Sequence, residues 1–396
     1  MNKGFSVYLD AVRFIAALGV FASHYVYVRW TGGFFPEPLI NAVFPTGADF
    51  VMVFFVLSGF VIAYTVDAKD NAWESYAFNR ATRIYSVAVP AIFLTFLFDR
   101  VGLAFNAADY DGWWYADHSI WELLVRGLTF SNEFWRWPFR LGSNGPYWSL
   151  GYEIWYYVLF GIFMFGRGWT RIAALAMVAI LIGPGILMLS PIWLLGVLLF
   201  IGFRDGWLYP RRKEVAATIG AAAALVPIAI YLGLRVSGVD DVLSATSHAL
   251  LSRVRYLGGV GDAARFLWFW TVGGLVAIHF AGVAILAQRF SVRISTAVST
   301  PVRWLAGASF SIYIIHYPLL QAIDTVLVGE TSNGLRAIVL GVSTIGFCFV
   351  FAALFERRLP VVRAWIRALD RVARAPGNGG VAKTGPVASK PVKPKA

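Results

Sequence analysis

Residues 11–28, AVRFIAALGVFASHYVYV, form the first long apolar run of the chain, and Arg13 and His24 stand within it. A run of about 18 apolar residues is long enough to cross the hydrocarbon core of a bilayer as a helix. A cationic side chain at mid-depth costs at least a few kcal/mol, so an intramembrane Arg or His is expected to face a cavity or a partner. From Arg13 to His24 a helix turns through about three full turns plus roughly 20° and rises roughly 16 Å. Both side chains therefore share one face and mark two depths of one internal path.

Composition extends this reading to the whole chain. Of 396 residues, 58% are hydrophobic, 16% aromatic and only 14% charged, which excludes an ordinary soluble globule and predicts an all-α polytopic membrane bundle. Hydropathy and length place about ten spans, at residues 10–28, 47–66, 83–101, 147–166, 170–188, 190–204, 214–234, 266–287, 303–327 and 335–355. The fifth is interrupted by Gly183-Pro184-Gly185 and the sixth is short. With ten spans, the basic residues of the short loops fall on one side: Lys69, Arg80 and Arg83; Arg167 and Arg171; Arg204, Arg211, Arg212 and Lys213; Arg289, Arg293 and Arg303. The positive-inside rule makes that side, and both termini, cytoplasmic. The other side holds two long loops, 102–146 and 235–265, where acids such as Asp109, Asp111, Asp117, Asp240, Asp241 and Asp262 offset the basic residues.

The first run has no small-residue cleavage site after it and is read as a retained helix. Cys348 is the single cysteine, so neither an intrachain disulfide nor a multi-cysteine metal site is available. Residues 1–370 are read as the transmembrane domain and 371–396 as a disordered basic cytoplasmic tail, rich in Pro, Gly, Ala and Lys, that suits anionic lipid head groups. The basic loops and this tail account for the net charge of +12 without any nucleic-acid partner.

Depth orders the polar residues. His24 falls toward the outer third of the first span, Asp49 enters the second from the same side, and Glu153 lies about two turns below the outer surface of the fourth. A histidine and a carboxylate at one level suit general-base activation of a hydroxyl, the carboxylate fixing the tautomer. Arg13, three residues after Asp10 and able to pair with it, joins Arg80 and Arg83 near the cytoplasmic face, where guanidinium groups suit a phosphate-bearing ligand. Ordinary charge flanking is the plain alternative for Arg80 and Arg83, and close helix packing for Ser58-Gly59. His316 stands mid-span beside Pro318. Trp113, Trp114, Trp121, Trp135, Trp137 and Trp148 crowd the outer stretch from Tyr110 to Trp148, where they suit either stacking on sugar rings or an interfacial aromatic belt.

The Arg13 to His24 spacing, FFVLSGF at 54–60, RATRIY at 80–85, WSLGYE at 148–153 and FSIYIIHYPL at 310–319 occur in one order. Together they resemble the acyltransferase 3 family over residues 5–357. The resemblance implies an integral membrane O-acyltransferase of about ten helices in a bacterial inner membrane. The donor it implies is cytoplasmic acyl-coenzyme A, most often acetyl, with no bound cofactor or metal. The acceptor is a glycan or lipid-linked sugar of the cell envelope or, in some members, a small molecule such as an antibiotic. It implies that Arg13 and His24 form the essential pair with His24 catalytic, that Arg80 and Arg83 hold the donor, and that Ser58 and Glu153 are motif positions. Many members carry an Asp two residues before the Phe-Phe; this chain has Met52 there and its nearest acid at Asp49. Asp49 and Glu153 are the candidates for orienting His24, and Ser58, Trp148 and His316 for binding substrate. A transporter moving an anion past Arg13 and His24 is the reading from another class.

Overall fold

Asn2 begins the first helix, its side-chain oxygen accepting from the Gly4 amide at 2.8 Å, so that α1 (Lys3–Tyr25) starts seven residues before the expected span and ends just past His24. In chain order there follow α2 (Val28–Thr31), α3 (Glu37–Val43), α4 (Gly47–Ala68), α5 (Trp73–Phe105), α6 (Ile120–Leu128), α7 (Trp148–Phe165) and α8 (Gly168–Ile182). The rest are α9 (Pro184–Asp205), α10 (Lys213–Val236), α11 (Val239–Ser252), α12 (Phe266–Phe290), α13 (Thr296–Ala306), α14 (Ser309–Val326), α15 (Asn333–Phe351) and α16 (Leu359–Arg374). The computed structural model describes residues 2–70, 72–135, 139–254, 260–290, 294–327 and 332–374, and no strand occurs among them. Trp137, Arg293 and the tail from 375 to 396 lie outside the described residues.

Among the described residues seven segments, those carrying α1, α4, α5, α9, α10, α12 and α15, are long and apolar enough to cross a membrane. Helices α7, α8 and α14 occupy the other expected places with 18, 15 and 18 residues. The protein is thus an all-α polytopic membrane bundle. Two boundaries differ from expectation for local reasons. Gly183 adopts φ +81°, a conformation glycine tolerates and other residues do not, so the fifth span stops there and Pro184 opens a 22-residue α9. The expected span 303–327 is two helices, broken at Gly307 and Ala308. Both long loops contain helix: α11 in the second, and α6 in the first, where Ser119 and Glu122 complete a reciprocal capping box.

Two apolar cores flank α1. Phe5, Leu9 and Val20 pack with residues of α4, α7, α9 and α12, whereas Ala17 and Phe21 pack with residues of α5, α14 and α15. The face of α1 between these cores is therefore a seam, and it carries Arg13 and His24. Glycine brings α4 and α9 together: a Cβ on Gly59 would stand 2.0 Å from the Trp193 carbonyl oxygen, and one on Gly196 2.0 Å from that of Val56. Such close approach of small residues packs helices where lipid gives no hydrophobic drive.

Chain contacts divide the protein after residue 359, and the described residues 360–374 fall in a separate unit. In that unit the exposed Val361, Trp365 and Leu369 recur at i, i+4 spacing along α16, giving the helix one apolar stripe.

Candidate active site

His24 stands in the last turn of α1 and meets α14. Its Nδ1 lies 2.9 Å from His316 Nε2, with the rings stacked at 5.2 Å, while His316 Nδ1 lies 2.8 Å from the Ile312 carbonyl oxygen. Those contacts assign the protons. A carbonyl only accepts, so His316 carries hydrogen on Nδ1. His316 is fully buried (0% exposed) and bonds to no carboxylate, so the neutral ring is favoured and its Nε2 accepts from the Nδ1–H of His24. His24 Nε2 is left with a free lone pair. Tyr317 packs edge-on against His24 at 5.1 Å and Trp30 against Tyr317 at 4.9 Å, which fixes the imidazole plane.

Pro318 ties α14 to the first outer loop. Lacking an amide hydrogen, it leaves the Ile314 carbonyl without its helical donor, and Asn144 supplies one from its side chain at 2.9 Å while also donating to Thr95 at 3.1 Å. The first outer loop is thereby tied to the helix that carries His316.

His24 opens on a cavity of about 480 Å³ whose wall includes Tyr27, Trp30, Val51, Trp113, Trp114, Trp148 and Tyr317, with Asp111, Arg140 and Asp262 as its charged groups. The Arg140 guanidinium lies 5.3 Å from the centre of the Trp113 ring. Of the loop tryptophans, Trp121 and Trp135 point elsewhere and are exposed. Beside this cavity Glu133 is buried (7% exposed), and burial, reinforced by the Asp262 charge, pushes its carboxyl from 4.5 up to about 8. The folded protein then holds a proton that the unfolded chain releases, so stability falls as pH rises through that window. Thermal unfolding in detergent should show the wild-type midpoint dropping between about pH 5 and about pH 9, with Glu133→Gln flattening the drop.

A second cavity, of about 110 Å³, lies at the other end of the Arg13 to His24 face, lined by Arg13, Arg80, Arg83, Ser58, Glu153, Tyr157, Tyr313 and Glu356. A neighbouring space of about 170 Å³ shares Arg13, Arg83, Phe310 and Glu356 and adds Arg357. Arg13 caps α13, donating to the terminal Ala306 carbonyl at 2.9 Å, and lies 3.8 Å from Asp10. Its Nε, like that of Arg80, is buried with no partner among the described residues. Arg83 is exposed, and its guanidinium makes no hydrogen bond or ion pair among them. An anion satisfies such donors. Arg80 differs from expectation in being already held, with Nη2 2.9 Å from buried Asp70 and 2.9 Å from Thr65 Oγ1.

The expected carboxylate partner of His24 is replaced by His316. Asp49 accepts from Tyr231 at 2.9 Å and from Trp268 Nε1 at 2.7 Å, facing α10 and α12. One helical step is about 100°, so Ala48 and Val51 line the outer cavity while Asp49 turns away from it. Glu153 sits in the arginine cavity, for Trp148 and Glu153 are five residues apart and so on different faces of α7. It accepts from Tyr157, whose oxygen is 3.0 Å from Ser58 Oγ; Trp193 Nε1 donates to that Oγ at 3.2 Å. With Tyr157 donating to Glu153, the Ser58 proton is committed to Tyr157, so Ser58 is a link in a chain rather than a free hydroxyl. Trp148 lines the outer cavity, whereas His316, also a candidate substrate contact, is buried behind His24.

Glu356 escapes a sequence reading. It ends a π-helical turn, Ala352–Glu356, and accepts from the Ser311 amide at 2.9 Å and hydroxyl at 2.7 Å while facing the arginine cavity. Such turns are frequent at functional sites. An acid closing the last long apolar run is the one signal that could have found it.

The bundle thus places a paired histidine at one depth of α1 and an arginine-lined cavity at the other. The family model described as "Acyltransferase domain", acyltransferase 3, matches residues 6–353, and the chain belongs to that family. It is similar to an O-acetyl transferase of Shigella phage Sf6, 24% identical over 64% of this chain and 77% of the relative. The acyltransferase MdmB of Streptomyces mycarofaciens is 31% identical over 38% of this chain and 37% of its own length. The peptidoglycan O-acetyltransferase OatA of Listeria monocytogenes is 25% identical over 88% of this chain, which spans about half (54%) of that relative. No solved structure matches. The protein is an integral membrane acyltransferase of the non-aminoacyl kind, which sets the transporter reading aside.

Proposed function

We propose that the protein carries an acyl group, acetyl in the first instance, from acyl-coenzyme A on the cytoplasmic side of a bacterial inner membrane to a hydroxyl of a cell-envelope or exported polysaccharide on the other side. The observation that carries this reading is the placement of an arginine cavity and a histidine-and-aromatic cavity at the two ends of one face of α1. The unpartnered guanidinium nitrogens favour the donor's phosphates, and its extended pantetheine arm suits the roughly 16 Å rise from Arg13 to His24. Flat tryptophan faces with Asp111 and Asp262 at the outer cavity favour sugar rings and their hydroxyls.

In this mechanism His24 Nε2 takes the proton of the acceptor hydroxyl as the oxygen attacks the thioester carbonyl. The tetrahedral adduct collapses by breaking its carbon–sulfur bond, and the imidazolium returns the proton to the thiolate, leaving an ester and a free thiol. His316 is a positioning residue: it keeps the His24 lone pair on Nε2. His316→Ala should lower kcat by about 10² by releasing the tautomer and leave the donor KM unchanged, since His316 is no part of the arginine cavity. An unchanged kcat in initial-rate measurements contradicts the assignment. Function itself is tested by mass spectrometry of surface glycans: cells without the protein should lose O-acyl esters and regain them on complementation, and an unaltered ester content refutes the reading.

A further inference from the structure

Tyr313 is the residue that the walls of the two cavities have in common. It stands on α14 between the break at Gly307 and Pro318, one turn before His316, and is 7% exposed. Its hydroxyl donates to the Pro146 carbonyl at 2.8 Å and accepts from Ser149 Oγ at 2.5 Å. Pro146 belongs to the outer cavity and Ser149 to the arginine cavity. Phe54, also of the arginine cavity, packs edge-on against the ring at 5.6 Å. The phenol is thus latched between the two cavities.

The geometry points to Tyr313 as a gate: its ring seals the two cavities from each other and swings aside to let the acyl-bearing arm reach His24. A permanently open passage admits outer water to a thioester held at the arginines, and closure against water is a general requirement of such transfers. The latch is built from neutral hydrogen bonds only, so it releases without moving a charge. Both its partners lie in the turn that opens α7, so a shift of that turn on acceptor entry frees the ring.

The proposal rests on the two-sided reading above, but its test does not need the donor's identity. Ser58 lines the arginine cavity, so a Ser58→Cys protein in a Cys348→Ala background is reconstituted in sealed vesicles and exposed, from the loop side, to a charged, membrane-impermeant methanethiosulfonate. Modification should be slow with Tyr313 present. It should rise about tenfold or more in Tyr313→Phe, which keeps the ring and loses the latch bonds, and further in Tyr313→Ala. Tyr313→Ala should also hydrolyse acyl-coenzyme A faster in the absence of acceptor. Equal rates with and without Tyr313, or rapid modification from the loop side with Tyr313 intact, overturn the gate while leaving the functional reading standing. Should Tyr313→Ala fail to fold, the Phe variant still decides the matter.

Discussion

Replacing His24 with alanine is expected to remove acyl transfer, by at least roughly 10² to 10⁴, the range that a positioned general base contributes. The variant should still insert in the membrane. His24 is half-buried on a cavity wall, its loss opens no apolar core, and His316 keeps its bond to the Ile312 carbonyl. Donor affinity should also survive, because His24 is absent from the arginine cavity. Initial rates of label transfer beside protein abundance in the membrane fraction separate these effects. Retained activity at normal abundance sinks His24 as the base.

The second large effect concerns the arginines, which the structure separates into two kinds. The Arg83 guanidinium makes no hydrogen bond or ion pair among the described residues, so Arg83→Ala should cost the fold little. It should raise the donor KM by about 10- to 100-fold, the worth of one or two charge-assisted hydrogen bonds. Arg80 is paired with a buried acid. Arg80→Ala leaves the buried Asp70 charge without its counter-ion, with the Asn79 amide still donating to it at 2.7 Å, and should destabilise the protein by about 3 kcal/mol. Thermal unfolding in detergent together with donor titration distinguishes the two. An Arg83→Ala protein with unaltered KM contradicts a donor phosphate site there.

The bundle and the paired levels of α1 were legible because apolar run length and the 3.6-residue repeat are properties of the chain alone. Arg13 and His24 do face two cavities along one seam. The partner of His24 was not legible. Sequence gives the depth of Asp49, Glu153 and His316 but not the direction in which each helix turns its face, and that direction is set by packing against α10, α12 and α14. Depth alone favoured the carboxylates, and rotation of α4 and α7 about their axes assigns them elsewhere. The break at Gly307 was missed because an apolar run reads as continuous across a glycine, and Glu356 because its pairing with Ser311 joins segments 45 residues apart.

In the function proposed above, one face of α1 joins the donor site to a base on the opposite side of the membrane. The most direct test of this arrangement uses sealed vesicles holding the oriented protein, with acetyl-labelled coenzyme A supplied only on the side of Arg13 and Arg83 and a glycan acceptor only on the side of His24. Labelled ester should appear on the acceptor and be lost in His24→Ala. Label transferred equally well when the donor is supplied only on the His24 side contradicts the arrangement.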